Sequence, residues 1–238
     1  MGVQGLWKLL APCGRRISVE TLEHTTLAID VSIWLTQFVK AMRDDEGRPI
    51  RNAHLIGTLR RVAKLLYHGV RPVFVFDGGV PVVKARLIRQ RQMRREKNRD
   101  DREAASLRRE MSRSSRDADS VTEDMREDTM HLLRLLGVPY VVAPMEAEAQ
   151  CAALEAAGLC EGVVTDDSDA FCFGARRVYK NIFDDRKYVE AYYASDCARD
   201  LRLGRDEFCA LALLLGGDYD NGVAGVGVVN AMEVLQAF

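Results

Sequence analysis

RPVFVFD, residues 71–77, is a largely apolar run that ends in an acid, and TTLAID at residues 25–30 and EGVVTDD at residues 161–167 repeat the pattern. Each run predicts a short buried strand, because β-branched and aromatic residues suit the covered environment of a central parallel strand. The carboxyl ends of parallel strands meet at one edge of a sheet, where ligands usually bind. The pattern therefore predicts an α/β protein with an acid-lined site at that edge.

The stretches between these runs have the helical period that a parallel sheet requires of its connections. Apolar positions recur at helical spacing in residues 31–42, and residues 53–69 form a second such stripe, with Asn52 as N-cap and Gly69 as its end. This β-α-α-β order predicts a mainly parallel central sheet flanked by helices. Two strand-like runs within residues 176–193 predict a hairpin at a sheet edge.

Composition bounds the class of protein. The 238 residues are 47% hydrophobic, which is ample for a packed core, and no run approaches the roughly 18 consecutive apolar residues of a membrane span. We therefore expect a folded protein with no membrane segment and no secretion signal. Six cysteines without a CxxC pair and four scattered histidines give no support to a structural zinc site, and we expect all six cysteines to be reduced and buried.

Charge is nearly balanced over the chain, with 34 basic and 35 acidic residues, but its distribution is uneven. Eight basic residues against one acid between residues 84 and 99 give a local balance of +7. Such a run suits the phosphate backbone of a nucleic acid. Residues 84–112 predict a solvated helix, and residues 111–120, MSRSSRDADS, predict a linker or loop tip because few of their side chains can be buried.

Seven carboxylates fall into five short clusters: Asp30; Asp77; Glu146 and Glu148; Asp167 and Asp169; and Asp218. Each alone has an ordinary explanation as a turn or N-cap residue. Together they would repel one another, and a divalent metal is the economical way to hold them. Oxygen-only ligation selects Mg²⁺ or Mn²⁺ over zinc, and two such ions stabilise the attacking and leaving oxygens of an in-line phosphoryl displacement. We therefore expect a two-metal site.

Spacing within the two pairs adds to this expectation. Glu146 and Glu148 are two residues apart, so they share a site only in the first turn of a helix, and Pro144 upstream fits such a start. Asp167 and Asp169 are also two apart, but after a strand, where this spacing puts both side chains on the same side. The second pair is therefore predicted to share a ligand.

Two further features suit a nucleic-acid substrate. Lys84 and Arg91, two turns apart on one helix face, could neutralise a scissile phosphate in the transition state. The glycines of GVAGVG, residues 222–227, would let backbone amides approach a phosphate. A solvated surface and an ordinary turn between helices remain the alternatives for these two features.

Five blocks, in this order, match a known family: MGVQGLW (1–7), FVFDGG (74–79), APMEAEAQCA (143–152), TDDSD (165–169) and LLGGDYDNGVAGVG (214–227). Together they resemble the flap-endonuclease superfamily of structure-specific 5′ nucleases. Within it, MGVQGLWKLL, DVSIWL and HGVRPVFVFDGGVP are most similar to the xeroderma pigmentosum group G (XPG) endonucleases of nucleotide excision repair. The resemblance implies a PIN-like nuclease core with a helical arch and a C-terminal helix-two-turn-helix.

The resemblance implies roles for individual residues. The seven acids would be the metal ligands, Asp77 and Glu146 among them would be catalytic, and Lys84 and Arg91 would contact the scissile phosphate. The basic run and the resemblance together give candidate DNA contacts at Gly2, Lys84, Arg86, Arg91, Arg94, Arg95, Gly222, Gly225 and Gly227. The implied cofactors are two Mg²⁺ ions, with Mn²⁺ as a substitute, and K⁺ at the Gly222–Gly227 hairpin. Thr36 stands where flap endonucleases carry a base-stacking tyrosine, which argues against the flap branch.

The sequence thus predicts a Mg²⁺-dependent, structure-specific DNA endonuclease that cuts near a single-strand to duplex junction and leaves a 5′-phosphate, and the resemblance implies bubble and 5′-flap substrates. The family adds a nuclear location and nuclear excision-repair partners, and we expect a monomer. Three alternatives remain. These are a flap, exonuclease or Holliday-junction nuclease of the same superfamily, a repair scaffold that binds DNA without cutting it, and an RNA-cutting relative.

We predict one nuclease core over residues 1–238. Its parts are an N-terminal nuclease region with the start of the basic arch, an arch, linker or spacer-excision seam, an internal nuclease region and the start of the helix-two-turn-helix motif, at residues 1–99, 100–125, 126–215 and 216–238. The group G enzymes carry a long acidic spacer between the nuclease halves, so the short connection here predicts an excised spacer or a short arch. Because the family continues past the hairpin, we expect a truncated catalytic core.

Overall fold

The computed structural model describes residues 2–42, 50–100, 121–183 and 188–237, with the side chains of residues 92 and 94–100 outside the described part. Its strands are β1 (Arg15–Ile17), β2 (Thr26–Asp30), β3 (Arg71–Phe76), β4 (Tyr140–Val142), β5 (Gly162–Val164), β6 (Arg177–Lys180) and β7 (Val189–Tyr193). Its α-helices are α1 (Leu6–Leu10), α2 (Val31–Ala41), α3 (Ala53–Tyr67), α4 (Val82–Asp100), α5 (Glu123–Leu135), α6 (Ala147–Ala156), α7 (Asp169–Cys172), α8 (Ala194–Leu201), α9 (Arg205–Leu215) and α10 (Val228–Ala237). Short 3₁₀ turns occupy Ala11–Cys13 and Val19–Leu22.

All these strands join one sheet in the order β1-β7-β6-β5-β2-β3-β4. The five strands from β6 to β4 run parallel, whereas β7 pairs antiparallel with β6 and β1 pairs antiparallel with β7. The predicted fold class, a mainly parallel sheet flanked by helices, is confirmed. The predicted hairpin is the pair β6 and β7, and β1 lies outside it as the edge strand.

Helices cover both faces of the sheet, which explains why the central strands are almost continuously apolar. Alternate residues of a strand point to opposite faces. Ala28, Val75 and Val163 accordingly belong to the core with α1, α6, α7 and α9, whereas Leu27, Ile29, Phe74 and Val164 belong to the core with α2, α3 and α5. The sheet is therefore buried on both sides, and polar chemistry is confined to its edges and strand ends.

The order of the strands fixes where a site forms. From β2 the chain moves to β3 and then β4 on one side, and later places β5 on the opposite side of β2. The carboxyl ends of β2 and β5 therefore flank a topological switch point, where the crevice of an open α/β sheet binds its ligand. Asp30 ends β2, and the TDDSD segment follows β5.

Several local predictions need correction. The strand after residue 161 ends at Val164, before the acids, because Thr165 and Asp167 turn the chain toward α7. All six cysteines are free, but Cys209 is exposed and Cys172 is partly exposed, and both line an open pocket between α7 and α9. The prediction of Asn52 as the N-cap of α3 is confirmed, although the residue is in a left-handed conformation and its side chain makes no capping hydrogen bond. No helix in the described ranges is long and apolar enough to cross a membrane.

Candidate active site

Asp30 joins the two strands at the switch point. It is the last residue of β2 and the N-cap of α2, and only 2% of its surface is exposed. Its carboxylate accepts hydrogen bonds from the backbone N–H of Ser32 at 3.1 Å and from the hydroxyl of Thr165 at 3.0 Å. The same Thr165 oxygen accepts the backbone N–H of Asp167 at 3.1 Å. One threonine therefore holds the acid of β2 against the acid loop of β5.

The first turn of α6 carries Glu146 and Glu148, as the spacing predicts. Glu146 is the N-cap and Glu148 lies in the first turn, and both are 6% exposed. Asp77, which follows β3, accepts the backbone N–H of Ala147 at 2.8 Å and so caps this helix from a neighbouring strand. The backbone N–H of Gly78 donates to the carbonyl of Met145 at 2.6 Å. The ends of β3 and β4 are thereby fixed against each other.

Asp167 and Asp169 lie together, but not by the strand geometry that the sequence suggested. Asp167 is in the loop after β5 and Asp169 is the first residue of α7, because the strand ends before them. The backbone N–H of Asp169 donates to Asp167 Oδ1 at 2.9 Å, which is the bond of a local turn. The buried Oδ1 of Asp169 has no hydrogen-bond partner among the described residues.

Gly2 lies against this loop, and the contact requires glycine. Its φ of +80° is in the left-handed region, and a Cβ there would lie 2.6 Å from Asp169 Oδ1, 2.5 Å from Ser168 Oγ and closer still to Asp167 Oδ1. The backbone N–H of Gln4 donates to the carbonyl of Gly216 at 2.9 Å. The N-terminal segment therefore bridges the acid loop and the end of α9.

Lys84 and Tyr219 converge on Glu146 from two other elements. The ammonium of Lys84, in the first turn of α4, donates to Glu146 Oε1 and lies 2.9 Å from Asp218 Oδ2. The hydroxyl of Tyr219 donates to Glu146 Oε2. Its ring packs edge-on against Phe173 at 6.3 Å between centroids. Both oxygens of Glu146 are therefore held by donors from distant parts of the chain.

Mutual repulsion and burial shift the acids toward their protonated forms. Burial, with the charges of Asp77 and Asp167, raises the pKa of Asp30 to about 7. Burial, with Asp30, raises the pKa of Glu148 to about 9, and burial, with Asp167 and Asp218, raises that of Asp169 to about 7. Burial also raises the pKa values of Glu146 and Asp167.

The pKa of Lys84, the basic residue that lines the cleft, shifts in the direction that favours its charged form. Burial alone would lower the pKa of Lys84, but its bonds to Glu146 and Asp218 outweigh burial and raise the pKa above its usual value. One cation therefore serves several acids, and the surplus of negative charge is what a bound divalent cation would neutralise.

A cleft of about 200 Å³ opens over the acids, lined by Asp30, Ser32, Ile33, Thr36, Asp77, Lys84, Glu148, Asp167 and Asp218. The polar side-chain atoms that line the cleft are all oxygens, except for the ammonium nitrogen of Lys84. A set of oxygen ligands suits Mg²⁺ and Mn²⁺ and not zinc. The unpartnered Asp169 Oδ1 and the raised pKa values fit a cation as well. Within the described ranges, no three acidic, cysteine or histidine side chains stand ready-made around one ion. Their oxygens are engaged instead by Lys84, Tyr219, Thr165 and backbone N–H groups.

The remaining basic candidates lie along α4. Arg91 donates to the carbonyls of Gly217 at 2.6 Å and Asp220 at 3.5 Å, so it contacts the loop after α9 and not the acids. Arg86 is exposed. The side chains of Arg94 and Arg95 lie outside the described residues.

The predicted glycine hairpin forms the turn between α9 and α10. Gly222 has φ +75°, and a Cβ there would lie 2.6 Å from the backbone of Leu215 and Gly216, so glycine is needed for the loop to pack on the end of α9. Gly225 has φ +83° and open space around it, and Gly227 is likewise open. The loop thus presents backbone to solvent beside Asp218.

Sequence reasoning missed Thr165 and Tyr219 as contacts of the acids. Thr165 directly follows β5, and a hydroxyl at a parallel strand end was a usable signal. Tyr219 lies next to Asp218, but nothing local points it at Glu146, because that contact depends on how the loop after α9 folds. Asp166, the first acid of TDDSD, was also passed over.

Known families match both halves of this site. The XPG N-terminal domain matches residues 1–98, and the XPG I-region matches residues 137–218. The catalytic core of Rad2, solved in complex with DNA substrate, superposes with a TM-score of 0.88 at 45% sequence identity, and the match covers 100% of this chain and 69% of that one. The chain belongs to the XPG and flap endonuclease superfamily of structure-specific 5′ nucleases.

Other members of the superfamily are similar over the whole chain. Flap endonuclease GEN homolog 1 of Mus musculus is 36% identical over 247 residues, which are 100% of this chain and 25% of that protein. Flap endonuclease 1 of Chlamydomonas reinhardtii is 35% identical over 252 residues, which are 99% of this chain and 64% of that protein. This chain therefore spans less than two thirds of either relative.

One solved member of the superfamily contains the expected metal. GEN1 in complex with product DNA and a Mg²⁺ ion has a TM-score of 0.72 and 27% identity to this chain, with coverage of 99% of this chain and 51% of that one. The enzyme class predicted from the sequence, a DNA endonuclease, is the class of these superfamily members.

Proposed function

We propose that this protein is a Mg²⁺-dependent, structure-specific DNA endonuclease that cuts a phosphodiester beside a single-strand to duplex junction and leaves a 5′-phosphate. The observation that carries the proposal is the convergence of carboxylates from β2, β3, the loops after β4 and β5, and the loop after α9 on one cleft with Lys84 at its side. Oxygen ligands gathered at a sheet switch point suit phosphoryl transfer.

The seven acids and Lys84 each have a proposed role in metal or phosphate binding. Asp30, Asp77, Glu146, Glu148, Asp167, Asp169 and Asp218 would hold two Mg²⁺ ions, which when bound would polarise the scissile phosphate and activate water. Lys84 reaches the same cleft from α4 and would neutralise charge that develops on the phosphate. Because Arg91 touches backbone carbonyls in the loop of Asp218, a phosphate would have to draw it away from them.

Specificity would come from the shape of the junction. The described basic side chains of α4 and the glycine turn at residues 222–227 offer contacts to phosphate backbone and none that select a base. The match to the XPG families and the similarity to the Rad2 core favour the excision-repair branch. For that branch we propose bubble and 5′-flap substrates, nuclear repair factors as partners and a nuclear location. Mn²⁺ would substitute for Mg²⁺, K⁺ would bind at the glycine turn, and the protein would act as a monomer.

The test is cleavage of end-labelled bubble, 5′-flap, four-way-junction and single-stranded DNA of one sequence, with Mg²⁺ and separately with Ca²⁺. We expect cutting with Mg²⁺ alone, on the duplex side of the bubble and flap junctions. An RNA substrate of the same shape should remain intact. Preference for the four-way junction would move the protein to the junction-resolving branch.

An Asp30→Asn variant is the matched control, because it removes one charge from the cleft and preserves the size of the side chain. It should bind the flap substrate with the affinity of the unaltered protein and fail to cut it. Binding without cutting by the unaltered protein under all metal conditions would overturn the nuclease assignment and favour a scaffold.

A further inference from the structure

Asp166 directly precedes the proposed metal ligand Asp167, but its side chain turns away from the acid cleft. It is flanked by Thr165, which bonds Asp30, and by Asp167. Its carboxylate lines a separate cavity of about 200 Å³ together with Trp34, Arg61, Asn181 and Phe183. Both oxygens of the Asp166 carboxylate accept hydrogen bonds on this side of the loop, so Asp166 is not placed as a metal ligand.

Three elements hold this single residue. The indole N–H of Trp7 donates to the Asp166 carbonyl at 2.9 Å. The backbone N–H of Asn181, just after β6, donates to Oδ1 at 3.1 Å, and the side-chain amide of Gln37 on α2 donates to Oδ2 at 3.1 Å. The N-terminal helix, α2 and the end of β6 are therefore all tied to the acid loop at one point.

The hydrogen bonds from Arg61 to Gln37 and from Gln37 to Asp166 both run in one donor-to-acceptor direction. Arg61 on α3 donates to Gln37 Oε1 at 2.9 Å, which leaves the Gln37 amide nitrogen to face Asp166. The guanidinium is itself held among the rings of Phe38, Trp34 and Phe183, at 4.5, 4.7 and 5.2 Å from their centroids. Because arginine has donors only, the amide of Gln37 cannot turn over without placing donor against donor.

The charge of Asp166 also acts on Arg61. Burial lowers the pKa of Arg61 to about 10, and attraction to Asp166 opposes that shift. The pair therefore stabilise each other across the neutral amide of Gln37, in a partly buried place where such interactions are stronger than in water.

We propose that Asp166 is a positioning residue for the metal ligands, and that the Arg61–Gln37–Asp166 chain sets the loop that carries Thr165 and Asp167. The inference rests on the proposed nuclease function. Residues that contact a metal-coordinating side chain and fix its orientation are a usual means by which proteins tune metal affinity. Both bonds of the Asp166 carboxylate come from outside residues 165–169, so they fix the acid loop relative to α2 and the end of β6.

The first test is Asp166→Asn, with Mn²⁺ binding to the DNA-free protein measured by calorimetry. The variant keeps an acceptor for the N–H of Asn181 but turns an amide donor toward the donor of Gln37. We expect Mn²⁺ affinity to fall about tenfold, the lower end of what loss of such a partner produces. The KM for flap DNA should stay within about twofold, because no DNA contact is removed.

The second test moves the negative charge from position 166 to position 37 within the hydrogen-bonded chain. In the double variant Gln37→Glu with Asp166→Asn, the new carboxylate at position 37 accepts from Arg61 and from the new amide at position 166, so every bond is restored. We expect Mn²⁺ affinity to return to within about threefold of the original value, a coupling that a double-mutant cycle isolates. Recovery would show that the hydrogen bonds of this chain, and not the position of the negative charge at residue 166, set the metal affinity.

Controls separate the possible failures. Asp200→Asn removes an exposed carboxylate that bonds Arg199 at 2.7 and 2.8 Å, and it should leave Mn²⁺ affinity unchanged. Asp167→Ala should reduce Mn²⁺ affinity and abolish cutting; if it changes neither, the proposed function falls. If Asp167→Ala has these effects while Asp166→Asn binds Mn²⁺ normally, or the double variant recovers nothing, the positioning role is overturned and the nuclease assignment stands.

Discussion

Lys84 Nζ lies 2.9 Å from Asp218 Oδ2, which ties the first turn of α4 to the loop after α9. The same ammonium donates to Glu146 on α6, so one cation links three elements that border the cleft. An ammonium in this position neutralises part of the charge that would attract a divalent ion. We therefore expect Lys84 to have two opposing effects, competition with metal in the free protein and assistance to a bound phosphate.

The substitution Lys84→Met separates these two effects. It keeps most of the apolar stem but removes the charge, so we expect Mn²⁺ affinity of the DNA-free protein to rise by roughly threefold to tenfold. The single-turnover rate of flap cleavage at saturating metal should fall by roughly 100-fold, as expected for loss of one transition-state donor. Calorimetry and rapid-quench kinetics measure the two quantities. A loss of DNA affinity with an unchanged cleavage rate would rule out a role for Lys84 in the chemical step.

Asp77 has a structural role that must be separated from its chemical one. It caps α6 by accepting the backbone N–H of Ala147. Asp77→Ala should abolish cutting, leave junction binding nearly intact and destabilise the fold by about 1 kcal/mol through loss of the cap. Asp77→Asn keeps an acceptor for that N–H, so it should abolish cutting with little loss of stability. Denaturant unfolding and cleavage assays report both, and wild-type cutting by either variant in Mg²⁺ would remove the central claim.

The acids could be located from the sequence because parallel strands bring their carboxyl ends together by construction. Once TTLAID, RPVFVFD and EGVVTDD are taken as neighbouring parallel strands, Asp30, Asp77 and Asp167 have to meet. The strand geometry proposed for Asp169 was wrong, yet its position near Asp167 was right, because a turn brings residues two apart together as well as a strand does. The division of the chain at residues 99, 125 and 215 stays a prediction.

Gly2 tests whether the N-terminal segment shapes the acid loop. Gly2→Ala places a methyl group against Asp167 and Asp169 and should reduce cleavage strongly. The matched control is Gly137→Ala, because Gly137 has a similar φ of +68° but no atom within 4 Å of the added Cβ. The control should lose about 1 kcal/mol of stability through backbone strain and keep its activity. Equal activity of the two variants would show that the clash at residue 2 is relieved without moving the acids.

Stability of the metal-free protein should depend on pH in the sense opposite to that of most buried ion pairs. Asp30 and Asp169 have pKa values near 7 and Glu148 near 9, all above the values of an unfolded chain, near 4. Between those limits the folded protein holds protons that the unfolded chain has lost, so the free energy of unfolding falls as pH rises from about 4 through 7 to 9. Thermal unfolding in EDTA should show Tm decreasing over this window.

Two further measurements of Tm extend the pH experiment, one with Mg²⁺ and one with a variant. Mg²⁺ should raise Tm more at the alkaline end, where the carboxylates are ionised and bind it best. Asp30→Asn should flatten the slope, because it removes one group that takes up a proton on folding between about pH 4 and 7. A Tm that is constant or rises across the window in EDTA would contradict the assignment of these acids to one crowded, buried cluster.

The contacts that the sequence did not predict are those made by side chains from far along the chain. Tyr219 and Glu146, or Gln37 and Asp166, meet only because loops without regular structure fold to particular positions. Hydrophobic periodicity carries no information about such loops. Asp166 was also obscured by its neighbours, because three acids in TDDSD look equivalent until the direction of each side chain is known.

Tyr219→Phe tests the contact between Tyr219 and Glu146 at the site itself. The variant keeps the ring, which packs against Phe173, and removes only the hydroxyl that donates to Glu146. Among the described residues Lys84 would then be the one side-chain donor left to Glu146. Glu146 should be less firmly oriented, and we expect the single-turnover rate and Mn²⁺ affinity to fall by about tenfold. Tyr140→Phe is the control, because its hydroxyl accepts from Arg134 at 2.7 Å at the amino end of β4, away from the acids. If both variants behave like the unaltered protein in rate and in Mn²⁺ binding, Lys84 alone is sufficient to hold Glu146.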